Sequence, residues 1–340
     1  MDLVRFIRLI RDFGPLKRKA ILPKVMETLA AARVPREHVF ADFGEDSAAI
    51  DLNSDSFGLI AADGIIPEFI QANPHGAGYA AILVCVDDIY TCGGTPLAAS
   101  IVISARDETE IDEILAGVNE GSEKFQVPVV RGHTHPDASM PSISSSMFGI
   151  VPKQDFVPAG GARPGNILLA IVDPNGRRSP YNPLTWDTTT MKSSDTVLAM
   201  RRAFQQLAAQ HLIISAKDIS NAGLFGTLLQ MLELSQCGGI VDLDAFSVPL
   251  LMQENKVTLL EFAEMFLASS FISCAPASSF PVIKEILEPV QYEVLCIGET
   301  VEEKTISLVY NGKTEILFDY REQNIITPRL PDRKYENAGS

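Results

Sequence analysis

The chain has 340 residues, 46% of them hydrophobic, with 43 acidic against 28 basic side chains and a net charge of −15. That length accommodates two domains with proper cores, and the acidic balance excludes a general nucleic-acid binder, which neutralises phosphates with Lys and Arg. The longest apolar run, 79–86, falls far short of the ~20 residues of a membrane span, and Asp2, Arg5 and Arg8 interrupt the apolar stretch expected of a signal peptide.

In chain order, residues 1–36 alternate apolar and basic side chains and predict helix, with Arg5, Arg8, Arg11, Lys17, Arg18 and Lys19 on it. Residues 57–62 predict a strand ending at Asp63. Tyr79, Ile82, Leu83, Val86, Ile89 and Tyr90 form a helical stripe that Gly93-Gly94 stops. A second amphipathic helix carries Ile111, Ile114, Leu115, Val118 and Phe125, and strands are expected over 127–130 and 142–151. The turn-rich run 158–165 marks a domain boundary. A buried strand over 167–172 leads into 173–194, which has no periodicity and is either a functional loop or a surface excursion. A helix over 196–211, capped by Ser194 or Asp195, precedes a loop-to-helix step over 217–234. Strands follow over 240–243, 271–275 and 294–298. A hairpin turns at Asn311-Gly312. The domains expected are therefore a helical segment 1–40, an N-terminal domain 41–157, a C-terminal domain 166–325 and a loose tail 326–340.

The five cysteines are odd in number, widely spaced and lack any CxxC pair, which points away from a disulfide framework or zinc site and towards the cytoplasm. No GxxxxGK[ST] loop, dinucleotide fingerprint or nucleophile elbow is present. Acids beside small residues recur instead, at Asp46, Asp63 and Asp87-Asp88. Magnesium takes hard oxygen ligands, and carboxylates from separate segments can converge on it. Taken singly, each of these acids reads better as a solvated side chain, with Asp88 pointing off the apolar stripe.

Their order resembles a known family. Gly44-Glu45-Asp46-Ser47-Ala48-Ala49-Ile50 resembles the GDDAAV segment of the aminoimidazole ribonucleotide (AIR) synthetase superfamily, and Ala62-Asp63 its strand end. His75-Gly76-Ala77-Gly78 through Asp88-Ile89-Tyr90-Thr91-Cys92-Gly93-Gly94-Thr95-Pro96-Leu97 resembles its central helix, closest to the selenophosphate synthetase version. Arg131-Gly132-His133-Thr134 resembles the GGHT of that branch. Lys217-Asp218-Ile219-Ser220-Asn221-Ala222-Gly223-Leu224 resembles the DISDGL of thiamine-monophosphate kinases.

The resemblance implies an α+β fold of two domains. In it, N-terminal domains pair into a shared β-barrel across a homodimer interface within 45–150, beside a C-terminal α/β sandwich. It implies ATP as substrate and Mg2+ held by Asp46, Asp63, Asp88 and Asp218, with Gly132 and Thr134 near the nucleotide and Asp88 serving both. The expected activity is phosphoryl transfer to an oxygen of a small metabolite, as kinase or ATP-dependent ligase. Alternatives are a selenophosphate synthetase-like enzyme or a non-catalytic nucleotide-binding partner of a biosynthetic complex. Departures bear on these choices. Glu45 replaces an aspartate, Ser220-Asn221 replaces the second acid of DISDGL, and residues 1–40 lack the reactive Cys of the selenophosphate synthetases. The loop 173–194, with Arg177, Arg178, Trp186 and Asp187, matches no motif and is the candidate substrate loop. His133, where the kinases carry an aspartate, is expected not to touch metal, so that the site holds fewer ions than the kinase pattern implies; the alternatives are that Asp137 supplies the missing oxygen, or a soft-metal site shared with His135.

Overall fold

A computed structural model describes residues 1–32 and 34–328. Helices α1 (Leu3–Asp12), α2 (Gly14–Arg18) and α3 (Leu22–Ala30) lead the chain. The N-terminal domain then runs β1 (Val39–Ala41), β2 (Ala48–Asp51), β3 (Ser56–Ile65), α4 (Pro67–Ala72), α5 (Pro74–Thr91), β4 (Thr95–Ser104), α6 (Glu108–Phe125), β5 (Val129–His135) and β6 (Ser142–Pro152). Its strands form a six-stranded sheet in the order β1-β2-β3-β6-β4-β5, in which only the β4–β5 pair is parallel.

Alternation along the strands gives this sheet two unlike faces. Phe57, Leu59 and Ala61 of β3, Ile101 and Ile103 of β4, and Ile143 and Met147 of β6 are buried under α5. The opposite face presents Ile60, Val102 and Phe148, exposed by 49%, 44% and 41%. Helices α5 and α6 cross closely because Gly78 and Gly117 carry no side chain at the crossing. A Cβ on Gly78 would lie 2.1 Å from the Ile114 carbonyl oxygen, and one on Gly117 1.8 Å from that of His75.

The C-terminal domain comprises β7 (Ile167–Val172), β8 (Arg177–Arg178), β9 (Thr185–Asp187), α7 (Ser194–Ala209), β10 (Ser215–Asp218), α8 (Gly223–Ser235), β11 (Gly238–Asp242), α9 (Leu250–Glu254), α10 (Leu259–Glu264), β12 (Phe266–Leu267), β13 (Phe271–Ala275), α11 (Phe280–Leu287), β14 (Glu293–Val301), β15 (Thr305–Tyr310) and β16 (Lys313–Asp319). Its seven-stranded sheet has the order β10-β13-β7-β14-β11-β15-β16. Strand β7 is buried on both sides. Leu168, Ala170 and Val172 meet α8 in one core, while Leu169 and Ile171 meet α7 and α11 in another. The expected mixed α+β architecture of two domains is therefore present.

The N-terminal helices dock on the C-terminal domain. Leu3, Phe6, Ile7, Ile10 and Leu16 join its larger core, Phe6 meets Phe225 edge-on, and the Arg11 guanidinium donates to the carbonyls of Leu317 and Ile316.

Several expectations need correction. Strand β4, which the sequence reading passed over, runs down the sheet between β6 and β5. The segment expected as strand over 127–130 begins two residues later and extends to His135, so Gly132 and Thr134 lie on β5. Helix α7 is capped by Ser193, whose side chain accepts from the Thr196 N–H, rather than by Ser194 or Asp195. The loop 173–194 contains β8 and β9, which pair with each other and with β12. The start of the tail expected from 326 is tied down, because the Glu233 carboxylate accepts from the Ile326 and Thr327 N–H groups; the rest of that tail, from 329, lies outside the described residues.

Candidate functional site

Three acids far apart in sequence meet where the two domains face each other. Asp46 follows β1 in the turn opened by Gly44 (φ 97°), Asp88 sits on α5, and Asp218 ends β10. A carboxylate oxygen from each lies within 4.8 Å of the others. The site forms there because α5 packs against β10 and because the 44–46 turn is bonded to the C-terminal domain. Asp46 Oδ2 accepts from the Asp218 N–H at 3.1 Å, its Oδ1 accepts from Lys217 Nζ, and Lys217 also reaches the Gly44 carbonyl at 3.3 Å. Glu45, beside Asp46, accepts from the Ala159 N–H at 2.5 Å and so fastens the same turn to the interdomain connection.

The local electrostatics are strained by the crowding of like charges. Burial and then repulsion from Asp218, Asp46 and Asp63 push the Asp88 carboxyl well above the usual carboxylate range. Burial and the Asp46 carboxylate raise Asp218 to about 8. Two lysines answer them. Burial opposes charge on Lys217, yet Asp46 and Asp218 hold its pKa above the ordinary lysine value. Lys19, from the end of α2, donates to Ser220 Oγ at 3.2 Å and Gln230 Oε1 at 3.0 Å. Burial and the nearby Lys217 lower its pKa, while Asp218, Asp46 and Asp63 act in the other direction.

Asp63 stands beside this group rather than in it. It lies near the end of β3 on the α5-covered face, accepts from the Gly64 N–H at 2.6 Å, and is close enough to raise Asp88. Gly132 shares a cross-strand row with Asp63, Ser145 and Ile101. Three strand spacings nonetheless separate it from Asp63, about 14 Å, so neither Gly132 nor Thr134 joins the acids within one chain. His133 and His135 project from the opposite face, where Val102 lies, with ring centroids 4.8 Å apart. Among the described residues, the group of three potential metal ligands is all-aspartate, with neither histidine in it.

The polar groups of the candidate substrate loop are engaged in holding its own shape. Arg177 pairs with Asp187 at 3.4 Å. Arg178 pairs with Glu261 at 3.1 Å and donates to the Pro183 and Lys256 carbonyls. Asp187 accepts from the Thr189 and Thr190 N–H groups. Trp186 is fully buried in the larger C-terminal core and is a packing anchor rather than a substrate platform. The loop reaches the N-terminal domain through Thr189, which accepts from the Tyr79 hydroxyl at 2.9 Å.

Sequence reasoning gave Lys217 no role of its own and did not single out Lys19 from its neighbours. Lys217 is a cation inside a short, otherwise buried strand next to an acid, and that placement was a usable signal. Lys19 was one of six N-terminal cations, and nothing local distinguished it. Asp87, placed near the edge of the apolar stripe, is buried and paired with Arg201 Nη2 at 2.6 Å, whereas Asp88, which read alone could have faced water, turns into the site.

The chain matches two family models, the AIR synthase related protein N-terminal domain over 44–151 and the corresponding C-terminal domain over 167–311. It is 35% identical to the uncharacterized protein MJ0640 of Methanocaldococcus jannaschii over 96% of this chain and 99% of that protein. It is 23% identical to selenide, water dikinase of Myxococcus xanthus over 71% of each. Its fold matches Thermotoga maritima PurL complexed with ATP at a TM-score of 0.70 and 16% identity, covering 97% of this chain and 57% of PurL. Motif order, two-domain architecture and these matches agree: the chain belongs to the AIR synthase related protein family.

Proposed function

We propose that the protein binds ATP with magnesium in the cleft where Asp46, Asp88 and Asp218 converge and transfers a phosphoryl group to an oxygen of a small metabolite, as a kinase or as the first half of an ATP-dependent ligase. The observation that carries this reading is the convergence of three carboxylates from two domains within 4.8 Å. A donor set of carboxylate oxygens alone suits a small hard divalent cation and not a soft one. Asp88 and Asp218, with Asp63 at the rim, would hold the ion, which when bound neutralises and orients phosphate oxygens. Phosphoryl transfer is mostly positioning and charge stabilisation, which removes the need for the missing phosphate loop. Lys19 and Lys217 add fixed positive charge on the wall from which a triphosphate would be gripped. A relative in sequence is named a dikinase, and the fold is similar to that of PurL complexed with ATP. The absence of Cys from residues 1–40 favours an oxygen acceptor over a selenophosphate synthetase-like reaction.

The test is Asp88→Asn, which keeps the side chain's size and removes the ligand charge. Magnesium-dependent ATP turnover should fall by at least a hundredfold with circular dichroism unchanged. Activity within a few-fold of the parent would show the site to be wrongly placed. ATP and magnesium binding without any turnover, across a metabolite screen, would favour the non-catalytic binding partner.

A further inference from the structure

An all-acid metal cage presents each carboxylate to the ion, and here one carboxylate is already spoken for. Both oxygens of Asp46 have partners within the chain, Lys217 Nζ on Oδ1 and the Asp218 N–H on Oδ2. The Lys217 and Asp46 side chains are only 6% and 4% exposed, so the ammonium lies inside the group, at the Asp46 corner. It is also braced by the Gly44 carbonyl at 3.3 Å. A bound ion can leave; an ammonium on its own four-carbon stem cannot, and it meets no entropic cost of capture from solution. Asp46, Asp63, Asp88 and Asp218 face Lys19 and Lys217.

We propose that Lys217 is a tethered counter-cation that takes a metal ion's place at Asp46, so that the site takes one divalent ion fewer than its acids would otherwise hold. Asp46 is then a structural acid that locks the 44–46 turn to β10, and the metal rests on Asp88 and Asp218. Lys217 supplies positive charge that does not vary with free magnesium. This inference rests on the Mg-ATP reading of the site.

Counting ions separates the two. Manganese, as a paramagnetic stand-in for magnesium, is titrated into the full-length protein with saturating non-hydrolysable ATP analogue, and bound ions per chain are read from the loss of the free-ion EPR signal. Lys217→Met, which keeps the stem and removes the charge, should bind one more manganese per chain than the parent protein. Asp46→Asn, made in the parent, should leave the count unchanged, and its result stands even if Lys217→Met does not fold. An equal count in Lys217→Met and the parent, or loss of an ion in Asp46→Asn, would overturn the inference while leaving the ATP reading intact. No nucleotide-dependent manganese binding in the parent would overturn both.

Discussion

Asp218 is held to about 8 by burial and by Asp46, and only its ionised form can ligate metal. Near neutral pH a bound ion must therefore displace a proton. The apparent magnesium affinity is expected to rise with pH through about 8, by up to about tenfold per unit from Asp218 alone, with Asp88, raised by burial and the same neighbours, adding to the rise. Calorimetry in buffers of different ionisation heat should show proton release on binding at pH 7. A flat affinity across that range would mean that Asp218 is not a ligand. At this scale much of the site was legible in the sequence, since Asp46, Asp88 and Asp218 could be chosen from the order of their motifs and do converge. Their partners were less legible. Lys217 left a local signal, a cation beside an acid in a short, otherwise buried strand, but Lys19 acquires meaning only when segments 201 positions apart are brought together, as Lys19 and Ser220 are, and no local pattern encodes that. Which core Trp186 anchors was not legible either: a lone aromatic in a polar stretch says nothing about which core the stretch lies over.

Among the elements, α5 carries the argument, because it holds Asp88 on one side and a buried ion pair on the other. Asp87 Oδ1 accepts from Arg201 Nη2 on α7, and its Oδ2 accepts from the Ser269 N–H at 3.1 Å. The Arg201 guanidinium also lies over the Phe125 ring, 4.7 Å from its centre. This pair joins the site helix to the opposite domain one residue before Asp88. Removing one partner of a buried pair strands the other's charge. Arg201→Met is thus expected to cost about 3–5 kcal/mol of stability, and Arg201→Met with Asp87→Leu to recover more than half of that. Urea denaturation of the single and double variants measures both; equal losses in the two would show that packing around Arg201, not the charge, is what matters. The long helices α5 and α6 and strands β3, β6 and β7 could be read from periodicity and composition. Strand β4 could not, because its start, Thr95-Pro96-Leu97, reads as the exit of a helix, and β8, β9 and β12 are too short to show a period. The Asn311-Gly312 turn was legible because both residues take positive φ, 50° and 70°, as that turn type requires.

For the molecule as a whole, the open sheet face is the outstanding debt. Ile60 and Phe148 lie uncovered as cross-strand neighbours on it, with Val102 beyond the Ser100–Ser146 pair, and exposed large apolar side chains gathered on one sheet face suit an interaction surface. A second copy of the chain is the proposed cover, which would also bring another chain's Gly132 and Thr134 into play. Light scattering at micromolar concentration is expected to give twice the chain mass, falling to one chain mass for Ile60→Asp combined with Phe148→Asp. A monomeric parent protein would remove the shared barrel from consideration. No helix among the described residues is long and apolar enough to cross a membrane. The docking of α1 on β16 has a different consequence, one of timing. Arg11 and its acceptor Leu317 are 306 positions apart, and at about 5–20 residues per second a ribosome needs roughly 15–60 s to cover that distance. Throughout that interval Leu3, Phe6, Ile7 and Ile10 have no finished surface to settle on, so α1, made well before its platform, is among the last elements to be sheltered, and a nascent chain stalled before 317 would expose to chaperones and proteases the same apolar stripe that the completed protein hides.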